Sequence, residues 1–137
     1  MTYEIRTDLT DMDLDLVHEW LSTDAYWALG RTREAVGTAA EHSLNVGAFD
    51  GEGRQVAYAR VVTDHANFAW LCDVYVDRDH RGRGIGRRLV ATVAERVDEM
   101  GIRRTLLATQ DAHEVYAGFG FGPLPDPTMW MVRTPPA

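Results

Sequence analysis

The stretch from residue 66 to residue 100 restricts the fold most. "ANFAWLCDVYVD" (66–77) is rich in aromatic and β-branched residues and reads as a strand. "GRRLVATVAERVDEM" (86–100) sets Leu89, Val90, Val93 and Val97 on one face at helical spacing, and Gly101 follows as its stop. Between them, "DRDHRGRGIGRRLV" (77–90) packs five arginines and three glycines into fourteen positions. A strand that turns through such a loop into an amphipathic helix belongs to a sheet with that helix on one face.

The rest of the chain supplies the remaining elements. "TYEIRT" (2–7) alternates as a first strand. In "LTDMDLDLVHEWLS" (9–22), Leu14, Val17, Trp20 and Leu21 form an apolar stripe. Thr10 is expected to cap that helix, with Asp11 and Asp13 in its first turn. A second helix is expected to start near Thr32. "LNVGAFDGEGRQVAYARVVTD" (44–64) holds two strands about a "DGEG" hairpin turn. "RRTLLAT" (103–109) reads as a short strand. "DAHEVYAGFGF" (111–121) opens with Asp111 and Glu114 spaced as a capping box and ends its helix near Gly118. "TMWMVRT" (128–134) reads as a last strand. The order β-α-α-β-β-β-α-β-α-β predicts a single α+β domain over 1–137, a mixed, mostly antiparallel sheet with helices on its faces.

A loop between a strand and a helix start offers unpaired backbone N–H groups and a partial positive charge, which suit anions and phosphates above all. Gly82, Gly84 and Gly86 give the backbone clearance; Arg81, Arg83, Arg87 and Arg88 add charge. A Walker A loop needs lysine, and the chain has none: all 14 of its basic residues are arginine. The dinucleotide fingerprint needs G-x-G-x-x-G, a spacing that Gly82, Gly84 and Gly86 do not match.

"RGRGIG" (81–86) matches a third pattern, R/Q-x-x-G-x-G/A, and "VYAGFGF" (115–121) about 30 residues later matches Y-x-x-x-G-F. With these two motifs in this element order, the chain resembles the GNAT (Gcn5-related N-acetyltransferase) superfamily over nearly its whole length. The resemblance implies the GNAT fold and transfer of an acyl group, acetyl above all, from acetyl-CoA to an amine by direct attack. It also implies that Arg81, Gly82, Arg83, Gly84, Ile85, Gly86 and Arg87 hold the pyrophosphate. Val74 and Val76 would pair with the pantetheine arm, and the Val76 N–H would polarise the thioester carbonyl.

Two proton transfers accompany such a reaction. Tyr116 matches the family tyrosine that faces the CoA sulfur and is the expected general acid; the other reading is a packed core tyrosine. Asp73, on the apolar strand before the loop, is a candidate base for the amine, or else a member of a structural ion pair. Tyr26, Trp27 and Arg31 lie where the resemblance places the acceptor pocket, although Trp27 alone also reads as core. His113 sits one turn before Tyr116, and Cys72 reads as a small buried hydrophobe rather than a nucleophile. The remaining histidines have no metal-ligand spacing, so no metal is expected.

Net charge is −7, which disfavours nucleic acid and suits a cationic partner. A small primary amine is the expected acceptor, with a protein N-terminus or lysine as the enzymatic alternative and a non-catalytic acyl-CoA sensor as the alternative of another class. No apolar run approaches a membrane span and no signal peptide is evident, so no membrane association and a cytoplasmic location are expected. An exposed edge formed by the last strands could pair two copies into a homodimer.

Overall fold

The computed structural model describes residues 2–136. Among them five strands pair in sequence order into one sheet: Glu4–Arg6 (β1), Leu44–Phe49 (β2), Gln55–Thr63 (β3), Phe68–Val76 (β4) and Arg104–Leu106 (β5). The first three pairings are antiparallel and β4–β5 is parallel, so the sheet is mixed, as the element order predicts. The β2–β3 turn is the "DGEG" hairpin. There the Asp50 carboxylate accepts from the N–H groups of Glu52 and Arg54, and Gly53 takes φ 81°.

Helices cover both faces. Leu14–Asp24 (α1) and Arg33–Glu41 (α2) bury Val17, Trp20, Leu21 and Val36 against Phe49, Tyr58 and Tyr75. Ile85–Glu99 (α3) buries Ile85, Leu89, Val93 and Val97 against Ala57, Ala59, Ala69 and Leu71 on the other face. Alternation along β4 explains how one strand serves both layers. Ala69 and Leu71 face α3, but so do Val74 and Val76, a change of parity within one strand. The register accounts for it. Tyr58 pairs with Tyr75 and Arg60 with Cys72, so Asp73 and Val74 together oppose Ala59 in a β-bulge, and Asp73 adopts φ 54°. The last helix, His113–Ala117 (α4), follows β5.

Three expectations are corrected. Thr10 lies in a 3-10 turn (Leu9–Asp11) capped by Asp8, and α1 is capped instead by Asp13, which accepts from Leu16 N–H at 3.1 Å. Asp111 does not cap α4. The Thr109 hydroxyl accepts from Ala112 N–H at 3.1 Å, the helix starts later than the capping box requires, and Asp111 is exposed. Residues 128–134 form no strand: Pro127–Met129 is a 3-10 turn, and the chain beyond it pairs with nothing among the described residues. Their alternating pattern is real, but no strand among the described residues receives them. Thr32 caps α2, with its hydroxyl 3.1 Å from Ala35 N–H.

Candidate active site

The site grows out of an unfinished sheet edge. β5 pairs with β4 only at Phe68, Ala69 and Trp70, so β4 from Leu71 to Val76 has no strand on that side. Asp77 N–H donates to Val56 O across the β3 side at 2.8 Å. Neighbouring backbone groups in a strand point to opposite edges, so Val76 and Val74 turn their N–H and C=O groups to the open side. The Val76 carbonyl there accepts from Arg81 Nε at 2.9 Å.

The glycine–arginine loop sits at the end of this edge. After a 3-10 turn (Arg78–His80), Gly82 and Gly84 take φ 79° and 78°, the left-handed region that favours glycine. Nothing lies within 4 Å of where a Cβ would stand at either position, so the backbone angle requires glycine there, not crowding. Gly84 is the N-cap of α3 and offers no side-chain cap. The first-turn N–H groups of α3 therefore face outward with the positive end of a helix behind them, a physical fit for phosphate oxygens.

The arginines divide into three groups. Arg81 and Arg78 are clamped from behind by Asp24, the last residue of α1. Arg78 forms a close ion pair with it, and Arg81 Nη2 lies 3.3 Å from its carboxylate. Tyr75 Oη donates to the same carboxylate at 2.5 Å, and Arg81 also covers the Tyr75 ring at 5.1 Å. The hydrogen bonds from Arg78 and Tyr75 hold the Asp24 carboxyl well below the usual carboxylate range. Arg83 Nη1 donates to Tyr3 Oη, and Arg88 Nη1 to the Tyr3 carbonyl, both at 2.9 Å. Arg87 reaches toward Gly118, just after α4.

On the α1–α2 side, Asp73 is buried at the bulge with a full set of donors. Oδ2 accepts from Arg31 at 2.7 Å and Arg60 at 2.9 Å, and Oδ1 accepts from Trp27 Nε1 at 2.9 Å. Burial alone would raise its pKa; Arg60, Arg31 and Trp27 together outweigh burial and lower it. A second tie joins the same loop to the α4 side: Gln110 N–H donates to Tyr26 Oη at 2.9 Å.

Tyr116 stands on α4, half-buried against the α3 core and edge-on to Phe121 at 6.0 Å. Burial raises its pKa above the ordinary phenol value, and Tyr26 and Asp111 push it the same way. Burial likewise raises the Cys72 thiol to about 11, which leaves it protonated near neutrality. Among the described residues no group of three His, Cys, Asp or Glu side chains is arranged to hold a metal ion, and no helix is long and apolar enough to cross a membrane.

The family model described as acetyltransferase (GNAT) family matches residues 9–121. The chain belongs to the GNAT acetyltransferase family. A GNAT-family protein of Xanthomonas campestris pv. campestris is 43% identical, with a TM-score of 0.93 over 99% of this chain and 95% of that one. A Gibberella zeae protein named "Putative acetyltransferase FG08082" is 27% identical, over 83% of this chain and 75% of its own. A Clostridium acetobutylicum protein solved with acetyl-CoA shares the fold at a TM-score of 0.73 and 14% identity, over 97% and 96% of the two chains.

As a GNAT acetyltransferase, the chain is an acyl-CoA N-acyltransferase with a mixed five-stranded sheet flanked by helices. Its fold brings the expected residues into two neighbourhoods. The loop 81–87 meets the open β4 edge where Arg81 engages the Val76 carbonyl. Trp27, Arg31 and Asp73 form a bonded cluster, and Tyr26 ties that side to the loop before Tyr116. His113 is exposed. Asp24, Arg60 and Gln110 were not foreseen. Arg60 carried a signal, a charge inside the apolar run "VAYARVV"; Asp24 and Gln110 carried none, since their partners lie 51 to 84 positions away.

Proposed function

We propose that this GNAT acetyltransferase moves an acetyl group from acetyl-CoA to a small primary amine. The observation that carries the reading is the open β4 edge running directly into the uncapped start of α3. A chain of amide groups ending in a pyrophosphate matches that edge and that helix start in order. Val74 and Val76 would hold the amide-bearing arm as an added strand, and Gly82 through Arg87 would hold the phosphates. With its carbonyl engaged by Arg81, Val76 keeps its N–H for the thioester oxygen, where negative charge grows as the amine attacks.

Tyr116 is the proposed general acid, giving its proton to the sulfur as the C–S bond breaks. Its raised pKa supports this role, since the phenol stays protonated throughout the neutral range. Asp73 acts in this reading as a positioning residue. With both oxygens engaged and its pKa lowered, it is a weak base, and it fixes Trp27 and Arg31 instead. Tyr26, Trp27 and Arg31 then wall the acceptor side.

The test is turnover of acetyl-CoA across a panel of small amines, in the wild type and in Tyr116→Phe. Loss of the acid should lower kcat by roughly a hundredfold or more while CoA binding persists. Unchanged turnover in the variant would remove Tyr116 from the role. CoA binding without turnover on any amine would identify a sensor in place of an enzyme.

A further inference from the structure

Two arginines share a single carboxylate at the β4 bulge. Asp73 Oδ2 accepts from both Arg31 and Arg60. Among the described residues, no ion pair brings a second carboxylate to either arginine. The cluster therefore carries one surplus positive charge, in a chain whose net charge is −7. A charge partly withdrawn from water favours an anion beside it.

The two arginines differ in what they have left to offer. Arg60 is 14% exposed and uses Nε for Asp73 and Nη1 for Ser43 Oγ, at 3.0 Å. Arg31 is 25% exposed and engages Asp73 through Nη1. That bond leaves Nη2 and Nε, a planar pair of donors that matches the two oxygens of a carboxylate.

The loop that carries Arg31 is fixed in advance. Ala28 N–H donates to Ala25 O at 2.9 Å, Gly30 N–H to Ser22 O at 3.0 Å and Arg31 N–H to Ala28 O at 3.0 Å. Asp73 holds the guanidinium itself, so little ordering remains for a ligand to impose. Asp73 also stands three positions before Val76, on the order of 10 Å along the strand. A short amino acid lying between Arg31 and a thioester held at Val76 covers that span. The same loop reaches the α4 side through Tyr26, whose Oη accepts from Gln110 N–H.

We propose that the acceptor is an amino acid, a primary amine that carries a carboxylate, and that Arg31 selects it by pairing with that carboxylate. The inference rests on the acetyl transfer proposed above and adds the chemical class of its acceptor. The carboxylate neutralises the surplus charge and fixes one end of the molecule. The amine end is then turned toward the thioester carbonyl at the Val76 N–H. A neutral amide in the same place leaves the Arg31 charge unanswered and is selected against.

Kinetics with paired amines test this: glycine, β-alanine, leucine and phenylalanine, each beside its amide, in the wild type, Arg31→Gln and Arg31→Lys. A carboxylate raises the basicity of the neighbouring amine, so intrinsic reactivity at neutral pH favours the amides. The wild type should nevertheless favour the acid in at least one pair, by roughly tenfold or more in kcat/KM. The ratio within a pair cancels any loss of folded enzyme. In Arg31→Gln it should fall to about one or below, and in Arg31→Lys, which keeps a charge without the fork, it should lie between. Calorimetric binding of the N-acetylated acids and amides to the CoA-loaded wild type should show the same preference. Binding that favours the acids, with no turnover of any amine, would support the Arg31 site and remove the proposed transfer. Turnover of every amide as good as that of its acid, or an acid preference undiminished in Arg31→Gln, would overturn the inference and leave the transfer standing. Neither turnover nor preferential binding would overturn both.

Discussion

Arg31 and Asp73 lie 42 positions apart and meet at 2.7 Å, with Arg31 Nη1 donating to Asp73 Oδ2. Asp73 occupies a left-handed backbone position that a non-glycine residue rarely adopts. The bulge that creates this position turns the carboxylate toward the α1–α2 loop and shifts Val74 and Val76 onto the α3 face. One backbone irregularity therefore shapes both sides of the site. Three donors on the carboxylate oppose the cost of its burial and of the bulge.

Removing the charge at Asp73 should loosen this arrangement. Asp73→Asn leaves two arginines without their shared carboxylate and should cost about 3 kcal/mol in urea unfolding at neutral pH. The pKa is lowered in the folded state, so the stabilisation is present above the ordinary carboxylate value near ~4 and is lost as pH falls through the lower folded value. The gap between wild type and variant should therefore narrow on acidification. An unchanged gap at pH 3 and pH 7 would show that the charge at Asp73 is not what holds the loop.

At Gly84 the backbone angle dictates the residue. The position has φ 78° and open space where a Cβ would go. Gly84→Ala should cost about 1–2 kcal/mol from the left-handed angle alone. If the backbone relieves that cost by leaving the left-handed region, the first-turn N–H groups move too, and CoA affinity should fall further than stability suggests. Calorimetric titration with CoA beside thermal unfolding separates the two effects. Full CoA affinity in a destabilised variant would show that the loop holds its shape at the expense of strain.

Cys72 offers a control on the chemistry. With its thiol raised to about 11 by burial, it should react slowly with iodoacetamide at pH 8 in the folded protein and rapidly once urea unfolds the chain. Cys72→Ala should leave turnover within about twofold of wild type, because direct attack needs no acyl-enzyme. A large loss of turnover together with fast labelling would instead indicate a nucleophile.

The sequence exposed what local pattern and motif spacing can encode. The α3 stripe, the "DGEG" hairpin and the Thr32 cap are short-range and were readable, as was the loop, in which Gly82 and Gly84 sit where φ turns positive. The Asp73 cluster was half-readable: a carboxylate in an apolar strand demands partners, but pattern cannot say which arginines supply them. The bulge was invisible, because inserting one residue changes parity without changing composition. The last strand was misread for a physical reason. Alternation in "TMWMVRT" records that the segment suits a ladder, and it cannot record that the ladder is missing from its own chain.

Asp24 supplies the most demanding prediction, since no motif marks it. It ends α1 and fixes Arg78, Arg81 and Tyr75 at the junction of β4 with the glycine–arginine loop. Arg81 in turn engages the Val76 carbonyl on the open edge. Asp24→Asn should free both arginines, leave the Val76 carbonyl to compete for the incoming arm, and raise KM for acetyl-CoA by roughly tenfold, the loss of one charge-assisted bond. KM for the amine should change little. Because its bonds to Arg78 and Tyr75 hold the Asp24 carboxyl far below the usual range, acetyl-CoA binding should show no titration of this group between pH 5 and pH 8. Steady-state kinetics over that range decide the matter. An effect on the amine KM alone would place Asp24 on the acceptor side of the site instead of behind the loop.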